Sequence, residues 1–435
     1  FLQQNNGSQI GRIYYFHTDP KDQPAFRLNQ SKLWPSIMEQ FCVELVEKRG
    51  VVFDSFVHDY GWDDEKLVWR FHEGYPNGFQ PYFDLVDRHN THFGIWFSPW
   101  GGYPGKKVRA PEGSKQGLEL GALIEKKPRY YMTLAGPRYY DHVLSACLGM
   151  LRHQKVNYFK FDGFGFGITG SGDPKDVNIC RSDIEGVWRL MNDIRKVDPS
   201  VFINPSTGTW PSPFWLVEAD SIWRGAFDTG YTGDKGSKRQ QWITYRDNAI
   251  YDLVHNRGPL YPISSLMIHG VEINKGGRIV TFDEQDMDDE IRAFFATGVN
   301  LQELYVSPEL LAKRHWDILA ECAKWSRANA HTLADIHWIG GDPAKLEVYG
   351  RAAWTSKNAI LTLRNPSDQE ASIDLDAAKI FELPPGARTV YTMKSPLVRD
   401  AKKQPITLTA GKSYTLRLKP FEVVILEEVK HGPVD

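Results

Sequence analysis

The chain has 435 residues, 41% hydrophobic and 24% charged, which is ordinary globular usage and excludes an intrinsically disordered chain. A formal net charge of −2 gives no electrostatic ground for nucleic acid or an anionic membrane as partner, and no run of about 18 apolar residues is present to span a bilayer. The four cysteines, Cys42, Cys147, Cys180 and Cys322, form no CxxC or Cys/His cluster, so they read as buried thiols and neither a metal nor another cofactor is expected. Aromatic residues are numerous, at 14 Trp, 19 Tyr and 23 Phe, a composition that fits a sugar-binding cleft as well as a large core. The sequence starts at Phe1 without Met, so a preceding signal peptide or domain, and with it a secreted, periplasmic or cell-surface location, is the expectation.

From residue 10 to about residue 307, short apolar runs alternate with amphipathic segments, the pattern of βα units around a parallel sheet. Ile10–Phe16 reads as the first strand and Pro35–Lys48 as a helix stopped by Gly50. Val51–Val57 is the second strand, Phe79–His89 a helix and His92–Phe97 the third strand. A long helix, Pro137–His153, leads into Val156–Phe161, the fourth. Ile184–Val197 is helical, Val201–Asn204 is the fifth strand and Ser221–Arg224 the sixth. Gln240–His255 is helical, with Pro262–Ile268 and Leu301–Val306 as strands seven and eight. Asp286–Thr297 lies between those two as a helix, and Glu309–Ala328 closes the series. The acidic run Asp283–Glu290 reads as a solvated helix start. Eight strands with helices between them predict a (β/α)8 TIM barrel over residues 1–333, and no G-x-G-x-x-G after the first strand supports a dinucleotide fold instead.

Beyond Asp335 no helix is convincing. Alternating runs at Lys345–Tyr349, Ala359–Leu363, Ala371–Leu375, Thr389–Met393, Ser413–Leu418 and Glu422–Glu427 predict a C-terminal antiparallel β-sandwich over 334–435, packed on the barrel and carrying no chemistry.

In a barrel the strand ends and the loops after them form the active face. Strand two ends in His58-Asp59-Tyr60-Gly61-Trp62, and strand three in Trp96-Phe97-Ser98-Pro99-Trp100. Strand four ends in Lys160-Phe161-Asp162-Gly163, strand five in Asn204-Pro205-Ser206-Thr207-Gly208, and strand six in Trp223-Arg224-Gly225-Ala226-Phe227-Asp228. Asp162 and Asp228 are a carboxylate pair from different strands, which retaining glycoside hydrolysis requires about 5–5.5 Å apart. Lys160, two residues before Asp162, projects to the same side and favours its ionised form, or bonds sugar hydroxyls. The bland alternatives are a Lys160–Asp162 salt bridge, an Arg224–Asp228 ion pair, Asp59 as a turn cap and Trp96 as a core residue. Asp63 and Asp64 read as caps. Trp100 and Trp210 sit in loops, where an aromatic has reason to meet a ligand. His17, His58 and His269 read more readily as structural histidines, and Tyr15 is a possible pocket member from strand one.

Four of these segments, in order, resemble one family. Lys160-Phe161-Asp162-Gly163 is similar to the K-F-D-G nucleophile strand of the retaining α-galactosidases and α-N-acetylgalactosaminidases, the melibiase clan. Trp223-Arg224 with Asp228 resembles their W-R-x-x-x-D acid/base segment, His58-Asp59-Tyr60-Gly61-Trp62 their D-D-G-W or D-D-C-W strand end, and Phe93-Gly94-Ile95-Trp96-Phe97 their F-G-I-W-F strand. The resemblance implies an exo-acting hydrolase of terminal α-galactosides, with Asp162 as nucleophile, Asp228 as acid/base, and Asp59, Trp96, Lys160 and Arg224 on the sugar. His58, Trp100, Ser206 and Trp210 complete the expected substrate contacts. His58 stands where the family carries a second Asp, and Ser264–Gly270 offers His269 where the family often has a carboxylate. Galactose, N-acetylgalactosamine and a less typical sugar therefore stay open, as do an α-N-acetylgalactosaminidase and, more distantly, a non-catalytic carbohydrate-binding barrel. The expected partner is a carbohydrate; the sequence does not reach the oligomeric state.

Overall fold

The computed structural model describes residues 2–5, 33–102, 106–123, 129–163, 177–206, 212–258, 262–273 and 284–429. Among the described residues of the first part, two small antiparallel pairs lie aside (Asp63–Asp64 with Arg70–Phe71, and Leu120–Leu123 with Arg129–Met132), and nine short strands form its sheets: β1 (Leu2–Asn5), β2 (Ser55–His58), β3 (His92–Phe97), β4 (Val156–Phe161), β5 (Phe202–Pro205), β6 (Ile222–Trp223), β7 (Leu266–Met267), β8 (Glu272–Ile273) and β9 (Gln302–Val306). All their pairings are parallel. Seven form one sheet in the order β8-β9-β1-β2-β3-β4-β5, and β6 pairs with β7 in a second. β1 to β5 follow one another across the larger sheet, and β1 lies beside β9 on its other side. The two sheets approach where Asp220 N–H donates to Ile203 O at 2.9 Å, and no continuous ladder closes them among the described residues. The architecture is mixed α/β; of the expected closed barrel, the described residues show two parallel sheets and no closure. The place between β2 and β9 belongs to Leu2–Asn5, whereas the expected first strand, Ile10–Phe16, lies outside the described residues.

Long, strongly patterned segments form as their residues dictate. The helix Pro137–His153 starts with Pro at its first turn, where a missing N–H is no loss, and buries Tyr139, Tyr140, Val143, Cys147 and Met150 at three- and four-residue spacing. Each buried side chain contributes roughly 1.5–3 kcal/mol. Arg152 and His153 occupy its last turn, where positive charge suits the helix dipole. Lys155, at φ +54°, then turns the chain into β4.

Alternation along β4 divides its side chains. Phe159 and Phe161 point to the helix layer and stack on each other at 5.6 Å, while Tyr158, Lys160 and then Asp162 share the opposite face. Tyr158 meets Val57, Trp223, Met267 and Leu301, from or beside four other strands, in a small cluster separate from the main core.

Three cysteines, Cys42, Cys147 and Cys322, are buried free thiols, and burial raises the pKa of each. The helix Glu284–Phe295 corrects an expectation. Asp288, Asp289 and Glu290 are buried rather than solvated, and arginines offset their desolvation: Arg314 bonds Asp288, and Arg239 bonds Glu290.

The parallel part ends with the helices Lys313–Ala328 and Ala330–Leu333. The C-terminal part is antiparallel: β10 (His337–Gly340), β11 (Tyr349–Thr355), β12 (Asn358–Arg364), β13 (Ala371–Leu375), β14 (Val390–Lys394), β15 (Ile406–Thr409), β16 (Tyr414–Leu418) and β17 (Val423–Glu428). Six form a sheet in the order β10-β11-β12-β17-β14-β15, and β13 pairs with β16. Leu361, Leu375, Phe381, Tyr391 and Leu418 share a core of their own. Two strands, β10 and β15, and the short helix Ala377–Ile380 are additions to the expected set, and the expected Lys345–Tyr349 strand is displaced to Tyr349–Thr355.

Candidate active site

Asp162 stands one residue past β4, where Gly163 takes φ +69° and turns the chain away. Its Oδ1 accepts the Gly163 N–H at 2.7 Å, and its Oδ2 accepts the indole N–H of Trp96 at 2.9 Å. Trp96 is buried on β3, so this bond holds the carboxylate at a fixed angle. Burial pushes the Asp162 pKa up to about 6, with Asp59 adding to it, against the pull of Lys160 and of the Trp96 and Gly163 bonds. Lys160 therefore favours the ionised form as expected, but burial outweighs it.

Lys160 does not direct its protons to Asp162. Its ammonium donates to Glu303 at 2.9 Å, Tyr305 OH at 3.1 Å and Asp59 at 3.3 Å, which uses all three N–H groups. Burial opposes its charge, yet Glu303, Tyr305 and Asp59 outweigh burial and hold its pKa well above the ordinary value. Asp59 also accepts the Tyr60 N–H at 2.7 Å, so it both caps its turn and meets Lys160.

Across from β4, Arg224 is buried with its guanidinium 4.4 Å over the Trp223 ring. It bonds carbonyl oxygens of its own loop: Gly225, Phe227 at 3.1 Å and Asp228 at 3.4 Å. Those backbone oxygens, and not the Asp228 carboxylate, are its partners. Burial lowers the Arg224 pKa to about 10. Ala226 adopts φ +60°, and Tyr245 OH bonds both N–H (2.9 Å) and C=O (3.1 Å) of Phe227, so the loop is clamped. The Asp228 side chain is 49% exposed, and His269 Nε2 lies 4.0 Å from its Oδ1. His269 in turn packs against Tyr305 at 5.2 Å and edge-on to Trp223 at 5.0 Å. One wall of side chains thus runs from Asp59 through Lys160, Tyr305 and His269 to Asp228.

His58 is a correction. It shares the parity of Phe56 rather than that of Val57 and Asp59, and so faces the helix layer. Its Nε2 accepts the Trp34 N–H at 2.7 Å, Nδ1 is 3.4 Å from Tyr75 OH, and Phe79 stacks on the ring at 4.1 Å. Burial drives its pKa well below the ordinary value, leaving a neutral core imidazole. Trp100 is also buried, 4% exposed, and not a loop-tip aromatic. Ser206 is buried with its hydroxyl 3.3 Å from Met267 Sδ. Trp210, Thr207, Gly208, Tyr15 and His17 lie outside the described residues.

Asp64 caps Lys66 N–H at 2.9 Å as expected, whereas Asp63 forms a buried two-bond pair with Arg109, at 2.7 and 3.0 Å. Glu303 and Tyr305 are site residues that strand-end reasoning does not reach. The signal is present as the inward parity of Leu301, Glu303 and Tyr305 on and beside β9, a carboxylate in the middle of an apolar strand. Among the described residues no group of His, Cys, Asp and Glu is placed to hold a metal ion, and no helix is long and apolar enough to cross a membrane.

No family profile matches the sequence, and curated proteins offer no sequence relative. Solved structures do match. An α-galactosidase variant of Geobacillus stearothermophilus in complex with raffinose superposes with a TM-score of 0.63 at 14% identity, over 98% of this chain and 55% of that one. The α-galactosidase of Lactobacillus brevis gives 0.66 at 14%, over 99% and 55%. The fold is that of the α-galactosidases. α-Galactosidase I of Mortierella vinacea gives 0.59 at 12%, over 98% of this chain and 96% of its own. The chain therefore spans little more than half the length of the two bacterial enzymes and nearly all of the fungal one.

The bond between Trp96 and Asp162 makes a testable contribution. Trp96→Phe removes a donor to a charged acceptor, worth about 1.5–3 kcal/mol, so the Asp162 pKa is expected to rise above its value in the unaltered protein, because a bond that lowers it is gone. An NMR titration of the Asp162 carboxyl carbon reads that rise, and an unmoved titration contradicts the coupling.

Proposed function

We propose that the protein is a retaining exo-acting glycoside hydrolase that releases terminal α-linked galactose. In this reading the two parallel sheets are the wall of a (β/α)8 barrel, and the antiparallel domain is a β-sandwich packed on it. The order of the strands, with the last beside the first, and the convergence of Val57, Tyr158, Trp223, Met267 and Leu301 support the barrel. The observation that carries the chemistry is the oriented carboxylate of Asp162, fixed by Trp96 and Gly163 beside the Lys160 cluster, with Asp228 on the far side of the shared wall.

Asp162 attacks the anomeric carbon as Asp228 gives its proton to the departing glycosidic oxygen, and a covalent glycosyl-aspartate results. Asp228 then takes a proton from water, which attacks the same carbon and expels Asp162, so two inversions restore the α configuration. Asp59, held by Lys160 and the Tyr60 N–H, accepts from the sugar hydroxyls without reordering, Lys160 exchanges one of its three bonds for a sugar oxygen, and Arg224 adds a donor. Bound raffinose and 1-deoxygalactonojirimycin in the Geobacillus structures favour galactosides. Retention of both carboxylates speaks against a non-catalytic binder.

The test is a hydrolysis screen over aryl α-galactoside, α-N-acetylgalactosaminide, α-glucoside and β-arabinopyranoside. Turnover is expected with the α-galactoside foremost. Preference for the α-N-acetylgalactosaminide moves the protein to its sister activity, and turnover of none overturns the hydrolase. Phe227, 80% exposed next to Asp228 on the clamped loop, is placed to meet the leaving group. Phe227→Ala is expected to raise KM for an aryl galactoside severalfold and to leave α-galactosyl fluoride unaffected, because an aromatic pair contact is worth about 0.5–1.5 kcal/mol. Equal effects on both substrates contradict that role.

A further inference from the structure

The boundary between the parallel part and the antiparallel domain holds a buried excess of positive charge. The helix Lys238–Tyr251 places Arg246 and Asp247 there, and β11 and β12 add Tyr349, Arg351 and Arg364. None of the five is more than 3% exposed. Three guanidinium groups share one carboxylate. Asp247 Oδ2 accepts from Tyr349 OH at 2.7 Å, and its Oδ1 lies 3.1 Å from Arg351 Nη2 and 3.5 Å from Arg246 Nε, both misaligned for a hydrogen bond. Among the described residues Arg364 bonds only neutral acceptors: Thr244 and Tyr349 hydroxyls through Nη1, and the backbone and side-chain oxygens of Gln240 through Nη2. The nearby carboxylates Glu290 and Asp289 have arginines of their own, Arg239 for the first and Arg292 and Arg399 at 3.8 and 4.0 Å for the second.

Nε of Arg364, Nε and Nη2 of Arg351 and all three nitrogens of Arg246 make no hydrogen bond among the described residues. Beside them is a cavity lined by Asp247, Tyr349, Arg351, Thr362 and Arg364, with about 10 Å³ open to the centre of a water-sized sphere. That is room for one small occupant. A buried charge without a counter-ion and a buried N–H without an acceptor each cost stability, the charge more than the N–H. A water molecule meets the second cost and not the first.

We propose that this cavity binds one monovalent anion of about chloride's size, held by Arg351 and Arg364, which ties the antiparallel domain to the helix Lys238–Tyr251. Sulfate and phosphate are too large for it.

The decisive experiment is anomalous diffraction from crystals of the unaltered chain grown with sodium bromide in place of chloride. A bromide peak between Arg351 and Arg364 is expected. Density there without anomalous signal, hence a water molecule, overturns the proposal. In solution, thermal unfolding at constant ionic strength is expected to rise by a few degrees when gluconate is replaced by chloride, since a ligand specific to the folded state stabilises it by mass action. Arg351→Met is expected to lose that chloride response; if it fails to fold, the bromide peak in the unaltered protein decides alone. A melting temperature indifferent to chloride also overturns the site.

Discussion

With Asp162 as the proposed nucleophile, Asp162→Ala is expected to lower kcat for an aryl α-galactoside by about 10⁴-fold or more, the scale on which loss of a covalent nucleophile is felt. The fold survives the change, because Asp162 lies past the end of β4 and its bonds go to Gly163 N–H and the Trp96 indole, which a water molecule in the vacated space can accept. That same space admits an external nucleophile. Azide added to the variant attacks the anomeric carbon from the face Asp162 occupied, the aryl oxide leaves, and β-galactosyl azide accumulates. Asp228→Ala is expected to behave differently: substrates with good leaving groups still form the glycosyl-enzyme, since departure of a stabilised aryl oxide needs no proton. Near-normal turnover of both variants contradicts the assignment, and azide rescue of Asp228→Ala with a β-product would exchange the two roles.

The largest expected loss of stability belongs to a residue outside the chemistry. Arg109 and Asp63 are both fully buried and joined by two hydrogen bonds, and Arg109 also donates to Gly101 O at 2.9 Å while lying 4.2 Å over the Trp69 ring. Burial works against the Arg109 charge and Asp63 outweighs it, so its pKa is raised. The pair staples the short strand Asp63–Asp64, which follows β2, to the helix Lys106–Lys115, which follows β3, close to Trp96. Arg109→Ala leaves the Asp63 carboxylate buried without its counter-ion and is expected to cost about 3–5 kcal/mol, read as a fall in melting temperature on the order of 10 °C. The double variant Arg109→Met with Asp63→Leu removes both charges and is expected to recover most of that loss. A single variant that costs less than about 1 kcal/mol, or a double variant less stable than the single, contradicts the account of the pair.

Legibility of the fold followed the length of each pattern. His92–Phe97, Pro137–His153 and Val156–Phe161 are readable to the residue, because six or more positions repeat one period and a proline or a charged end marks the boundary. Ile222–Trp223 and Leu266–Met267 are only two residues long, and their neighbours decide them more than their own side chains do. Leu2-Gln3-Gln4-Asn5 carries no apolar alternation, and its pairing to β2 and β9 is a tertiary fact that no local reading reaches.

For the candidate site, the strand-end rule pointed to Asp59, Trp96, Lys160, Asp162, Arg224 and Asp228. It misplaced His58 because adjacency to Asp59 carries no weight against strand parity. Parity also marks Glu303 and Tyr305, which attract no attention as loop residues because they precede the strand end. The partners of Lys160 and of the buried arginines depend on side chains more than a hundred positions apart, and burial of that kind has no local signature.

The central claim is that Asp162 and Asp228 carry out a retaining displacement at an α-galactoside. Proton NMR of the anomeric signals during the first minutes of aryl α-galactoside hydrolysis by the unaltered protein tests it most directly. α-Galactose is expected first, with the β anomer growing in only by mutarotation; β-galactose as the first product contradicts the double displacement, and no release of galactose contradicts the activity itself.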